Sequence, residues 1–158
     1  MFFFGPVRLR LVLRRLFFTA ILMSTSAPAF ALDKINSTGA NHLAVRGMDT
    51  TSYFTKGKPV VGQGSHVVRW KGATWRFATA AEAAKFRASP ASYAPQFGAY
   101  CTGGLAGNHV VEGKPQHWRM HRGKLYLFHT SAGANRFSKD PQGTIARARA
   151  YWKSLGME

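Results

Sequence analysis

A repeated segment constrains the fold of this chain more than any other feature of its 158 residues. The segment "GATWRFATAAEAAKFRASP" (72–90) aligns without a gap with "GKLYLFHTSAGANRFSKDP" (123–141), at a constant offset of 51 residues. Such self-similarity is typical of one supersecondary unit that is used twice, although shared local preferences could also produce it. The identical pairs are Gly72 and Gly123, Phe77 and Phe128, Thr79 and Thr130, Ala81 and Ala132, Ala83 and Ala134, Phe86 and Phe137, and Pro90 and Pro141.

Each copy of the repeat predicts a β-hairpin followed by a helix. In the first copy "HVVRW" and "ATWRFA" flank a glycine-containing turn, and in the second copy "HWRMH" and "KLYLF" do the same. Thr79 and Glu82 form a capping box, which predicts a helix over "AAEAAKFRA". Thr130 opens the second helix, which we expect to be shorter because Gly133 lowers its helix propensity.

Apolar alternation indicates how these elements pack. One face of the first hairpin is apolar and the other carries arginines, whereas "LYLF" in the second hairpin is apolar on both faces. A last helix is predicted to begin at Pro141, with Asp140 as its N-cap, and to end at Gly156. The predicted fold class is therefore α+β: a small antiparallel sheet from two β-hairpin–helix units, plus a C-terminal helix.

The N-terminus has the pattern of a targeting segment. Four arginines and no acid precede the apolar stretch "LFFTAILM", and "AFA" follows at residues 29–31. This is typical of a secretory signal peptide over residues 1–31, with an uncleaved anchor as the alternative. We expect residues 32–158 to form a single domain that is periplasmic or secreted, by either the general or the twin-arginine route.

Charge bears on the partners that the exported domain would meet. Loss of the four arginines of residues 1–31 reduces the formal net charge from +16 to +12. A charge of this size favours anionic partners, namely an envelope component or a protein partner of unknown identity. Export argues against nucleic acid, and after cleavage we expect no membrane span. The alternative is that the scattered basic residues only keep a small exported protein soluble.

Four stretches that stand in order resemble the exported bacterial YHS-domain proteins, some of which carry selenocysteine. They are "GMDTTSYFTKGKPVVG" (47–62), "GATWRF" (72–77), "SPASYAPQFGAYC" (89–101) and "GKLYL" (123–127). Cys101 matches the selenocysteine position, so the resemblance implies redox or soft-metal chemistry there. Ala78 stands where wider YHS domains often have a cysteine, so a metal site using that cysteine is absent. The positions that match the motifs near this site are Asp49, Tyr53, Tyr93 and Tyr100.

Cys101 is the lone cysteine of the chain and lies in the glycine-rich stretch "QFGAYCTGGLAGNH" (96–109). An inert, packed cysteine is the alternative to a functional one. We expect an irregular loop that resists helix formation and presents an accessible, reactive thiol. His109, at the end of the stretch, is a further candidate for lining the site. Copper is the metal that a thiolate site would favour, although neither the metal nor its presence follows from the sequence.

Catalytic signatures are absent from the sequence. Only six acidic residues are present, so carboxylate pairs are scarce, and no local Cys–His signature supports an ordinary hydrolase. We therefore assign no catalytic residue. Two functions are expected: soft-metal binding or thiol redox chemistry around Cys101, or a non-catalytic basic module that binds an anionic envelope surface or partner.

Overall fold

A computed structural model describes residues 1–3 and 32–157 of the chain. The signal peptide predicted for residues 1–31 therefore lies almost wholly outside the described residues. Within them, no helix is long and apolar enough to cross a membrane. All elements below belong to the unit that begins at Ala31.

The fold class is α+β, as the sequence predicted. The strands are β1 (Ser37–Thr38), β2 (Leu43–Ala44), β3 (Met48–Asp49), β4 (Val60–Val61), β5 (Gln63–Trp70), β6 (Ala73–Phe77), β7 (Lys114–His121) and β8 (Lys124–Phe128). The α-helices are α1 (Ser52–Thr55), α2 (Ala80–Ala88), α3 (Pro90–Tyr93), α4 (Thr102–Ala106), α5 (Ser131–Lys139) and α6 (Pro141–Ser154). Short 3₁₀ turns precede β3 and follow α3, at Val45–Gly47 and Gln96–Ala99.

The two hairpins lie in separate sheets. β5 and β6 form a sheet of order β1-β2-β6-β5, in which β2 pairs with β6 in parallel, while β7 and β8 form a two-stranded sheet. β3 and β4 make a third, two-stranded sheet. The predicted faces are confirmed: Trp75 and Phe77 are buried on β6, and all four residues of "LYLF" are buried on β8.

The repeat that the sequence predicted is present in the structure with the same offset. β6 and β8 begin and end 51 residues apart, and so do α2 and α5. Each hairpin has an irregularity at the same place, between Gln63 and Val67 in the first copy and 51 residues later in the second. The second helix has nine residues like the first, so the expectation of a shorter helix was wrong. Burial of Ala134 and Phe137 compensates for the low helix propensity of Gly133.

The structural repeat also extends beyond the segment that the sequence reveals. Residues 47–54 and 99–106 make corresponding contacts at an offset of 52. Gly62 donates a backbone hydrogen bond to Gly47, and Gly113 donates the corresponding one to Ala99, at 2.9 and 3.2 Å. We call residues 47–90 the first repeat and residues 99–141 the second repeat.

Candidate functional site

Cys101 lies at the start of α4, where its side chain caps the helix. The sulfur accepts hydrogen bonds from the backbone N–H of Gly104 at 3.3 Å and of His129 at 3.2 Å. Only 5% of the residue is exposed, and it packs in a cluster with Phe128 and Phe137. The predictions of an accessible thiol and of an irregular loop were therefore both wrong. The glycines allow a short helix whose first turn supplies an N–H donor to the sulfur.

Asp49 occupies the place in the first repeat that Cys101 occupies in the second. Its carboxylate accepts the N–H of Ala78 at 3.0 Å, and Ala78 precedes His129 by the repeat offset of 51 residues. The same carboxylate accepts the N–H and the hydroxyl of Thr51 at 2.9 and 2.7 Å, at the start of α1. A buried carboxylate in one repeat and a buried thiol in the other thus accept backbone N–H groups at corresponding places, although only Cys101 is a helix N-cap and the N-cap of α1 is Thr51.

The threonines that follow these two residues are also equivalent. Thr50 and Thr102 are both buried, and neither hydroxyl has a hydrogen-bond partner. Thr50 follows an aspartate and Thr102 follows a cysteine, yet both pairs have the same arrangement of acceptor and hydroxyl. The arrangement is therefore a property of the repeated fold and not of the thiol. This equivalence supports a packing and capping role for the thiol.

The remaining candidate residues do not gather around Cys101. Tyr53 is 2% exposed and donates its hydroxyl to the carbonyl of Pro115 at 2.9 Å, and burial raises its pKa well above the ordinary value. Tyr100 donates to the carbonyl of Asp33 at 3.0 Å, and burial, followed by the charge of Asp33, raises its pKa.

Tyr93 and His109 are also placed elsewhere. Tyr93 makes an edge-on contact with Phe54, with 5.3 Å between the ring centroids. His109 is exposed and its Nδ1 contacts the carbonyl of Gly107 in its own loop. These two side chains share no hydrogen bond or ring contact with the thiol in the part of the chain that the structure describes.

Among the described residues, no group of three or more His, Cys, Asp or Glu side chains is arranged to hold a metal ion. His129, whose backbone contacts the sulfur, has its ring Nδ1 3.1 Å from the carbonyl of Glu112. In the described geometry, the sulfur of Cys101 accepts hydrogen bonds from two fixed N–H groups, and this is the chemistry that the geometry supports.

A basic groove lies between the β7–β8 turn and α6. It has a volume of about 420 Å³. Its floor includes the buried Tyr126 and the half-buried Ile145, and its rim is exposed and polar. We call this cavity the second groove; its lining residues are His121, Arg122, Lys124, Tyr126, Gln142, Ile145, Ala146 and Arg149.

The charged side chains that line the second groove are all positive. Arg122, Lys124 and Arg149 bring three permanent positive charges to its lining, and no acidic side chain is among the lining residues. Burial raises the pKa of Tyr126, while the positive charge of Arg149 acts in the opposite direction. Arg149 and Tyr126 line the same groove, so the cation acts on the tyrosine hydroxyl within it.

Sequence reasoning missed the second groove because its residues come from two separated stretches, neither of which forms a dense basic run. The sequence did contain one signal for this groove. Lys124 and Arg149 stand 51 positions after Ala73 and Gly98, so the alignment places two basic residues opposite two small ones. Comparisons of the chain with protein-family models, with curated proteins and with solved structures gave no match.

Proposed function

We propose that this protein is a non-catalytic binding module that takes an anionic ligand in the second groove. The observation that carries the proposal is a groove with an apolar floor and three permanent cations, and no acid in its lining. Such a site attracts anions electrostatically and gains further affinity by covering apolar surface. The ligand class is a carboxylate or phosphate attached to an apolar group.

The distribution of acidic residues supports this proposal. Asp49 is buried within its own repeat, and three other acids form ion pairs outside the second groove: Glu82 with Lys56, Glu112 with Arg46, and Asp140 with Arg147. Asp33, the remaining described acid, lines a different cavity, so none of the described acids is among the lining residues of the second groove. The proposal includes export to the envelope, a YHS-like fold, and an anionic envelope component or protein as the partner.

Nuclear magnetic resonance can test this proposal on ¹⁵N-labelled protein. We expect titration with glutarate or inorganic phosphate to shift the amide signals of residues 121–126 and 142–149, and we expect the shifts to weaken with added salt. Arg149→Glu should abolish them. Lys71→Glu is the matched control, because Lys71 lies at the corresponding turn position with the same φ of 48° as Arg122. The proposal fails if the shifts occur elsewhere, or if both variants weaken them equally.

A second proposal concerns the thiol. The two N–H groups directed at the sulfur are the one feature that favours soft-metal binding or redox chemistry at Cys101, because such donors stabilise a thiolate. Alkylation of native protein, with and without Cu(I), tests it. Reaction that is as fast as that of an unfolded thiol, with protection by Cu(I), supports the proposal. Reaction only after denaturation rejects it.

A further inference from the structure

The second groove has a counterpart in the first repeat. A cavity of about 210 Å³ lies beside the β5–β6 turn, and we call it the first groove. Six of the eight residues that line the second groove stand 51 positions after a residue that lines the first. These pairs are Trp70 and His121, Lys71 and Arg122, Ala91 and Gln142, Ala94 and Ile145, Pro95 and Ala146, and Gly98 and Arg149.

The first groove is partly filled by the chain itself. Lys34 and Ile35 form part of its wall, and Ile35 is only 4% exposed. The backbone N–H of Asn36 donates to the carbonyl of Gly98 at 2.7 Å. Trp152 and Met157 close the remainder of the first groove. A short peptide segment that bends at Lys34 and Ile35 and buries one aliphatic side chain is therefore the model for an occupant of this kind of groove.

The second groove has no such segment among the described residues, and its volume is twice that of the first. The means of attachment also differs. Gly98 lies in a short 3₁₀ turn and offers its carbonyl to the segment, whereas Arg149 lies inside α6, where backbone carbonyls bond within the helix. The second groove supplies cations instead: Arg149 stands 51 positions after Gly98, and Lys124 lines the second groove although Ala73, 51 positions earlier, does not line the first.

We infer that the second groove binds a short, acidic peptide segment of a partner protein. An aliphatic side chain of that segment packs on Tyr126 and Ile145, in the way that Ile35 packs in the first groove. Carboxylates on either side pair with Arg122, Lys124 and Arg149. This inference rests on the proposed anion-binding function and specifies its ligand class.

Synthetic peptides can test the inference by isothermal titration calorimetry with the exported domain, residues 32–158. The probe is the acetylated and amidated peptide of residues 32–36 carrying Lys34→Glu, with the sequence LDEIN. Its matched controls are LDEGN, which lacks the aliphatic side chain, and LDKIN, which lacks the added carboxylate. We expect LDEIN to bind about tenfold more tightly than either control, because both contacts contribute.

Protein variants assign the binding to the groove. Arg149→Glu should weaken the binding of LDEIN at least about tenfold, whereas Lys71→Glu should change it less than about twofold. Equal binding of LDEIN and LDEGN would overturn the inference, and so would equal losses in the two variants. Binding of phosphatidylglycerol vesicles or of glutarate, without any binding of LDEIN, would overturn the peptide assignment. The anion-binding function would then still stand.

Discussion

The sulfur of Cys101 acts as a hydrogen-bond acceptor, and this predicts an order of stability for two substitutions. Cys101→Ala removes the acceptor for the N–H groups of Gly104 and His129 at a residue that is only 5% exposed. Each buried donor that loses its partner costs about 1–3 kcal/mol. Sulfur is a weak acceptor, so the lower end applies to both bonds, and the lost burial of the sulfur adds roughly 1 kcal/mol. We expect Cys101→Ala to lower the free energy of unfolding by about 3 kcal/mol.

Cys101→Ser should cost less, because serine keeps an acceptor and is a favoured helix N-cap. We expect a loss of about 1 kcal/mol, which reflects the shorter side chain and the burial of a hydroxyl among aromatic rings. Urea unfolding followed by circular dichroism measures both losses, provided that the slopes against urea stay equal. Asp49→Ala is the counterpart in the first repeat and should be at least as destabilising as Cys101→Ala. A serine variant that is no more stable than the alanine variant would refute the acceptor role and leave only packing.

Three further perturbations test the fold around the repeats. Tyr53→Phe removes a buried hydroxyl that donates to a carbonyl 2.9 Å away, and should cost about 1 kcal/mol in urea unfolding. The hydrogen bond from Arg46 lowers the pKa of Glu112 below 4.5. The stabilisation from this hydrogen bond is therefore complete above pH 4.5 and is lost as the pH falls through the lowered pKa of Glu112. Glu112→Gln should reduce this loss of thermal stability at acid pH, as measured in thermal melts. Gly62→Ala places a Cβ 2.5 Å from a backbone carbon and should cost about 1–3 kcal/mol, whereas Gly64→Ala, with nothing within 4 Å, should be nearly neutral.

The helices and hairpins of the repeats could be predicted because their signals are local. The side chain of Thr79 caps α2, as the capping box predicted, and Thr130 caps α5 in the same way. Prolines at the first position of α3 and α6 end the preceding helix at the same place in both copies. Each of these signals lies within a few residues of the boundary that it determines. Propensity failed at Gly133, where burial against the sheet compensates for a local preference, and at the glycines of α4.

The environment of Cys101 could not be predicted, because one of its two partners lies 28 residues away along the chain. Glycines beside a cysteine indicate a loop by local rules, and nothing local indicates that β8 passes close to the sulfur. The correspondence with Asp49 was hidden for a related reason. Residues 47–54 and 99–106 share a backbone arrangement but only one identical residue, Thr50 and Thr102. This position needs an acceptor for backbone N–H groups, and a carboxylate or a thiol can supply one.

The two repeats share a scaffold, so the proposed function rests on the residues in which they and their grooves differ. Both repeats build a groove beside a hairpin turn with a basic residue, Lys71 or Arg122. In the first repeat, small residues let the chain cover its own groove, and a Cβ at Gly98 would lie 2.0 Å from the carbonyl oxygen of Lys34. Arg149 stands 51 positions after Gly98 but lies in α6, outside both repeats, and none of residues 32–36 lines the second groove. Under the proposed function, the three cations of the second groove pair with carboxylates of another molecule.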